Sequence, residues 1–282
     1  MKATHPLLLT SLATLAFLLP PAFAVNKALK PAWMSQVTKS SPGKFQKVPP
    51  CELTYNMSWN GLVKAGEAKL TLGLSDPKTP KYLLGTCEGK SAGLAKRLWY
   101  YKLNFLSQVD SNSLRPVYYE STETEKKEKI FTKSWFANGK VTSKETTQKR
   151  SNGKSKTKER VFAYEHTHDL LSAVLYLRSL PLNNGDKVNM VIHPSNSAYY
   201  AQFRVLGRES FKTALGKQKA IKLDIELKKI DRDSLQLKNY TKMKKATIWI
   251  SEDAYRMPLE LRSEVFIGSV RATLAARKRL KS

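Results

Sequence analysis

From Cys51 the chain alternates. Leu53, Tyr55, Met57 and Trp59 fall on one side of an extended segment, and Glu52, Thr54, Asn56 and Ser58 on the other. A period of two marks a half-buried β-strand. Asn60-Gly61 follows, a pair suited to the positive-φ backbone of a type I′ hairpin. The return arm places Ala68, Leu70, Leu72 and Leu74 inward, against Glu67, Lys69, Thr71 and Gly73. A turn over Asp76–Pro80 leads to a strand near Tyr82–Glu88, then to a short helical or irregular piece at Gly93–Lys102. Further strands are predicted at Leu103–Val109, Pro116–Thr124 and Lys129–Phe136. Asn138-Gly139 marks a second hairpin. Its arm Lys140–Arg150 has Val141 as its only apolar residue, which predicts an edge or a protruding ribbon. Ser151–Lys158 reads as a Lys/Ser/Gly-rich loop, and Arg160–Tyr164 as a returning strand.

The period then changes. Asp169 suits an N-cap, Leu170–Leu180 is apolar apart from Ser172, Arg178 and Ser179, and Pro181 ends the run. Such a helix is about 16 Å long and apolar on most faces, so it belongs against a sheet. Long strands follow at Lys187–His193, Tyr199–Leu206, Lys217–Lys229, Met243–Ser251 and Pro258–Ala275. The pattern predicts a mainly β fold: an antiparallel curled sheet, sandwich or barrel-like, with one main helix at about 169–180 packed on it.

The ends change the picture of where this domain works. Lys2, the apolar run Leu7–Leu19 and Ala22-Phe23-Ala24 read as a secretory signal over 1–24, cleaved before Val25. The run is too short to span a bilayer, and the first cysteine, Cys51, is too distant to carry a lipid anchor. Residues 25–50 hold four prolines and no periodicity, which predicts a flexible leader, serving as a spacer from the membrane or as a weakly docked arm. A single β-rich domain is expected over 51–276 and a basic tail over 277–282. The protein is therefore expected to be exported, periplasmic or secreted, with no transmembrane helix.

Charge narrows the partners. The formal net charge is +26, and removing Lys2 with the signal leaves +25. Outside the cytosol this favours lipid, lipopolysaccharide, acidic glycan or an acidic envelope protein over nucleic acid. The competing reading is a solvated lysine coat. Residues 120–160 hold twelve basic and six acidic residues, among them Lys126, Lys127 and Lys129. Cys51 and Cys87 form an even count in an oxidising compartment, so a disulfide between them is expected, against the alternative of two buried thiols.

Several ordered pieces carry a family likeness. They are LTYNMSWNGLVKAGEAKL, SQVDSNSLRPVYY, HDLLSAVLYLRSLPLNNGDKV, VLGRESFKTALGKQKAIKL and TIWISEDAYRMPLELRSEVFIGSVRATL. Together, from Leu53 to Leu274, the chain resembles the bacterial domain of unknown function 3108. The resemblance implies an exported, β-rich envelope protein without an assigned activity, and so offers no catalytic residues. The added lysines and the cysteine pair depart from the family pattern.

Candidate chemistry is sparse. Gly89-Lys90-Ser91-Ala92-Gly93 fits G-x-S-x-G, and Asp110 with His166 or His168 completes a Ser…Asp…His order. A nucleophile elbow needs a parallel sheet, which the hairpin order opposes, so a serine hydrolase is the least favoured reading. Gly85–Ser91 is one residue short of a phosphate loop. His166 and His168, with Glu165 or Asp169, could seed a zinc site, but only the distant His193 could be added to them, so a polar strand-to-helix junction is preferred. Glu252-Asp253 reads as a turn. The aromatic groups Trp99-Tyr100, Tyr199-Tyr200 and Trp249 are candidate sugar- or lipid-contacting residues, against the reading that they cover the sheet. Trp249 is out of phase with Ile248 and Ile250. No cofactor and no catalysis are expected. The function expected is binding of an apolar or anionic envelope component; the alternative is an interaction or scaffold protein docking through the basic ribbon 126–158.

Overall fold

The alternating segments pair in chain order, each hairpin laying the next strand beside the last. β1 (Cys51–Trp59), β2 (Val63–Ser75), β3 (Tyr82–Ser91) and β4 (Tyr101–Asp110) are followed by β5 (Pro116–Glu125), β6 (Glu128–Ala137), β7 (Lys140–Lys149) and β8 (Ser155–Phe162). A second series comprises β9 (Thr167–His168), β10 (Lys187–Ile192), β11 (Tyr199–Thr213) and β12 (Gly216–Ile230). It continues with β13 (Leu237–Asn239), β14 (Lys245–Ser251), β15 (Pro258–Val265) and β16 (Gly268–Arg279). β16 returns to β1, joining both series into one 16-stranded sheet whose path runs from β8 to β1, then β16, β15, β14, β12, β11, β10 and β9. β13 hangs on β12, and the β9–β10 pair is parallel. Three helices, α1 (Trp33–Gln36), α2 (Gly93–Leu98) and α3 (Leu170–Ser179), complete the elements. This computed structural model describes residues 30–98, 100–241, 245–265 and 268–281, without the side chains of Leu94, Leu98 and Val265. The expected signal at 1–24 and the candidate Trp99 lie outside the described residues.

Both Asn-Gly pairs turn as their chemistry dictates, with φ of 52° and 74° at Asn60-Gly61 and 52° and 70° at Asn138-Gly139. Three assignments differ. Ser151–Lys158, read as a loop, is strand from Ser155 on, the first half of β8. Pro258–Ala275, read as one strand, is the β15–β16 hairpin. Lys140–Arg150, read as an edge, is an interior strand between β6 and β8. Its buried face is carried by Val141, Ser143 and Glu145, so polarity disguised an inward side.

The curled sheet folds around α3. Asp169 caps the helix by accepting from the Ser172 backbone, while Ser172 Oγ accepts from the Asp169 N–H. Leu171, Leu175, Tyr176 and Leu177 are fully buried in one cluster with Leu53, Leu72, Met190, Ile221, Leu223 and Ile250. Each such aliphatic side chain contributes about 1.5–3 kcal/mol on burial. Gly85 faces Leu171 so closely that any Cβ there would collide with it. Glycine at this point of β3 is what lets the helix settle onto the sheet.

The predicted flexible leader takes a different form in its described part. Trp33 and Val37 are buried, and Thr38 exchanges two hydrogen bonds with Asn189, at 2.8 and 3.0 Å. Tyr176 Oη bonds the Ser40 carbonyl at 2.9 Å. Arg178, wholly buried, donates to the carbonyls of Gln46, Lys47 and Tyr255. Burial pushes its guanidinium down to about 10. Residues 31–48 thus form a strap tied to the helix.

The sheet does not close by a ladder. Its edge strands β8 and β9 share no pairing, and side chains bridge the seam instead. Trp33, Phe162, Val191, Tyr200 and Ile230 form a second, smaller cluster there. The Trp33 ring lies 5.1 Å from that of Tyr164 and 5.9 Å from that of Tyr200.

The expected Cys51–Cys87 disulfide is absent, and both thiols are free. Cys87 pairs with Leu70, while Cys51 pairs with Leu72, so β2 lies between them. Two strand spacings, about 10 Å, exceed the roughly 7 Å Cα separation that a disulfide spans. Burial raises both thiols, Cys87 to about 11.

Candidate functional site

Two strand ends bring a cluster of cations together. The β5–β6 turn presents Lys126 and Lys127, and β7 delivers Lys149 and Arg150 beside them. These residues, with Glu128 and Ser151, border an open groove of about 780 Å³. Arg150 fixes the arrangement. Its N–H donates to the Lys127 carbonyl at 2.9 Å, and its Nη1 to the Glu125 and Lys126 carbonyls at 3.0 and 3.4 Å. The guanidinium also lies 5.5 Å from the Tyr100 ring centre. Among the described residues, none of these four cations has a carboxylate within ion-pair distance. Four exposed cations against the single carboxylate of Glu128, which faces Lys149 across the β6–β7 pair, leave a field that draws anions. Lys129, expected to join them, instead stands over the Phe131 ring at 4.7 Å on β6.

The aromatic candidates do not assemble. Tyr199 meets Tyr240 edge-on at 5.2 Å, while its neighbour Tyr200 turns to the other face, buried against Trp33. Trp249 is 4% exposed. Its Nε1–H donates to Glu209 at 2.6 Å, and its ring lies 5.0 Å from Phe211 and 4.8 Å from the Arg262 guanidinium. It is out of phase with Ile248 and Ile250, yet it is covered and offers no stacking platform.

The histidine junction is built around an arginine. Arg115 donates to His168 Nε2 at 3.1 Å, and its second terminal nitrogen lies 3.5 Å from His166 Nδ1. A guanidinium only donates, so His168 accepts at Nε2 and its Nδ1 faces Ser172 Oγ at 3.3 Å. Burial, then the Arg115 charge, holds His168 well below the ordinary histidine value. Burial also pushes the Asp169 carboxyl up, against the opposing bonds from Ser107 and Ser172. Among the described residues no three His, Cys, Asp or Glu side chains converge as metal ligands.

The Ser…Asp…His order is not assembled either. Ser91 ends β3 and accepts from the Tyr101 N–H at 3.1 Å. Asp110 lies at the opposite end of the β3–β4 pair, where it caps a turn through Ser113. The interval is about 30 Å at ~3.3 Å per strand residue. Gly85–Ser91 is extended strand rather than a phosphate loop. Asp253 caps its own turn, and Glu252 pairs with Arg208 at 2.6 Å.

Sequence reasoning located Lys126 and Lys127 but not their meeting with Lys149 and Arg150. The signal available was the shared strand end: two turns on the same side of a meander.

Comparison with known proteins agrees with this architecture. The β-barrel-like DUF1849 protein of Brucella abortus superposes with a TM-score of 0.54 at 8% identity, covering 84% of this chain and 100% of that one. A protein of YmcC-like fold from Bacteroides fragilis NCTC 9343 gives a TM-score of 0.36 at 6% identity, covering 84% and 100%. No curated protein matches the chain. The first likeness is one of fold alone. A family profile, by contrast, matches residues 54–275, nearly the whole sheet, and on that match the chain belongs to the family described as protein of unknown function (DUF3108).

Proposed function

We propose that this protein is an exported, non-catalytic component of the cell envelope that binds phosphate-bearing anionic lipid surfaces through its basic groove. The observation that carries the reading is the convergence of Lys126, Lys127, Lys149 and Arg150, with no carboxylate partner among the described residues. The signal-like residues 1–24 and the large positive charge support the location. Because α3 fills the concave side of the sheet with its own side chains, a surface mode is favoured over an apolar ligand held inside.

A juxtamembrane basic residue contributes about 1 kcal/mol toward an anionic bilayer. Four of them give a combined effect of roughly a thousandfold in affinity. The test is sedimentation of the purified protein with phosphatidylglycerol vesicles, against phosphatidylcholine vesicles as control. Binding should fall steeply with ionic strength. It should be lost in the variant combining Lys126→Gln, Lys127→Gln, Lys149→Gln and Arg150→Gln. Equal binding to both lipids, or binding untouched by the fourfold variant, would overturn the proposal. Capture of an acidic envelope protein that depends on the same four residues, without vesicle binding, would favour the docking alternative instead.

A further inference from the structure

The seam between the sheet edges leaves a cleft of about 320 Å³. Arg160 and Phe162 of β8 line one side, His193 and the loop through Asn196 and Ser197 face them, and Lys229 and Ile230 of β12 form the third wall. The loop is held in place. Asn196 donates to Glu145, and Ser134 Oγ donates to the Ser195 carbonyl at 3.4 Å.

Two buried polar atoms at this site lack a partner. His193 is 3% exposed, and its Nδ1 has no hydrogen-bond partner. Arg160 Nη1 is likewise shielded and unpartnered. The Arg160 carboxylate neighbour, Glu145, stands at 3.6 Å, within ion-pair range but too far for a hydrogen bond, and its Oε2 is taken by Asn196. Buried polar atoms in folded proteins are almost always satisfied, so this pair marks a missing partner, an acceptor for the Arg160 guanidinium and for the tautomer of His193 that carries its proton on Nδ1.

The charges say what kind of acceptor. The lining holds Arg160, Lys229, Arg232 and Lys238 against Asp231 and Asp233, and Glu145 stands against Arg160, which leaves one positive charge in excess. Asp231 pairs with Lys238 at 2.5 Å, and Asp233 with Arg232 at 3.2 Å. Lys229 has no carboxylate partner among the described residues, and it lies directly across the β12–β13 pair from Lys238. Like charges opposed on adjacent strands repel. An anion between them and Arg160 turns that repulsion into attraction.

We infer that the seam cleft is a binding site for a phosphate monoester, whose oxygens accept from Arg160 and His193 and whose charge faces the unpaired Lys229. A monoester offers three strong acceptor oxygens on one centre, enough to serve Arg160 and His193 together and still face Lys229. Phe162 and Ile230 supply apolar wall for the group that bears the phosphate. His193 gives the readout. Burial, with the Arg160 charge, pushes it down to about 4, and a phosphate beside its ring reverses the sign of its surroundings.

The experiment follows the imidazole resonances by NMR while the protein is titrated with inorganic phosphate, glycerol 3-phosphate and phosphatidic acid vesicles. The His193 signal should move on addition and its titration midpoint rise by at least about one pH unit. Lys229→Gln, an exposed change that leaves the seam packed, should weaken binding about fivefold; Arg160→Gln should weaken it roughly a hundredfold. A response to the free phosphates identifies a soluble ligand, and a response to vesicles alone identifies a lipid headgroup. A His193 signal that no probe moves, or a response unchanged in Lys229→Gln, overturns the inference. The fourfold variant of the basic groove should leave this response intact, which separates the two sites.

Discussion

Around α3 the sheet buries Leu53, Leu72, Leu175, Ile221 and Ile250 in its larger apolar cluster. At the seam, closure rests on Trp33, Phe162, Val191, Tyr200 and a few neighbours, and no ladder joins β8 to β9. The same regions differ in how their polar groups are met, although Arg256 beside the end of α3 also has two unpartnered nitrogens. Near the helix, Asp169 and Ser172 complete each other's hydrogen bonds, whereas at the seam Tyr164 Oη, Arg160 Nη1 and His193 Nδ1 have none. Dense apolar packing fixes one arrangement, while a seam held by rings and unpaired polar atoms leaves room for a ligand. Regions that bind and open are drawn from the less stable part of a fold.

Substitutions on either side put that contrast to the test. Leu175→Ala removes a side chain that is 1% exposed, at the middle of α3. A cavity there should cost about 2–5 kcal/mol. It should lower the denaturant midpoint and speed hydrogen exchange across β1, β12 and β14 together. A loss below about 1 kcal/mol would mean that the helix is not the organising element. Trp33→Ala removes the ring between Tyr164 and Tyr200 and the bond from its Nε1 to the Leu235 carbonyl at 2.8 Å. The cost should be up to about 3 kcal/mol, at the lower end for an aromatic truncation, because the site borders solvent. Exchange should rise in β8 and β10 and stay unchanged in β14–β16. A uniform rise through every strand would abolish the distinction between core and seam.

What could be read from the chain follows the same division. Strands with apolar inward faces, such as Cys51–Trp59, were legible by period, and both Asn-Gly turns by their backbone demand. The helix was legible to within a residue of its end, because Asp169 and Pro181 bracket an unbroken apolar run. β7 was misplaced because Ser143 and Glu145, buried inside the curl, look like surface residues in sequence. The strap could be read only as a leader or a weakly docked arm, because Trp33 and Val37 are single anchors without a period. The disulfide expectation failed because counting cysteines says nothing about the strand between them. Of the basic groove, the Lys126-Lys127 pair was visible locally. The seam cleft was not, since Arg160, His193 and Lys229 come from β8, the end of β10 and β12, which meet only when the sheet curls.

Mild acid provides the smallest expected effect and the finest test of the contrast. His168 lies at the base of α3 and His193 at the seam, joined by the bond from the His193 N–H to the His168 carbonyl at 2.7 Å. Burial holds both rings below the ordinary value near 6.5, His193 at about 4. The unfolded chain therefore binds protons more readily than the folded one between those values. The stability each neutral ring contributes is fully present above about pH 6.5 and is lost as pH falls toward the folded value. Going from pH 7 to pH 6 should cost roughly 1 kcal/mol for the two rings together. At His168 an added proton would sit on Nε2, facing the Arg115 guanidinium at 3.1 Å within a packed core. At His193 it meets an open cleft, where water or an anion can follow it. Hydrogen exchange at pH 6 should therefore rise first in the 193–198 loop and β8, ahead of α3, and phosphate should suppress that rise. Earlier opening at α3 would place the acid-labile point in the core and reverse the ranking of the two regions.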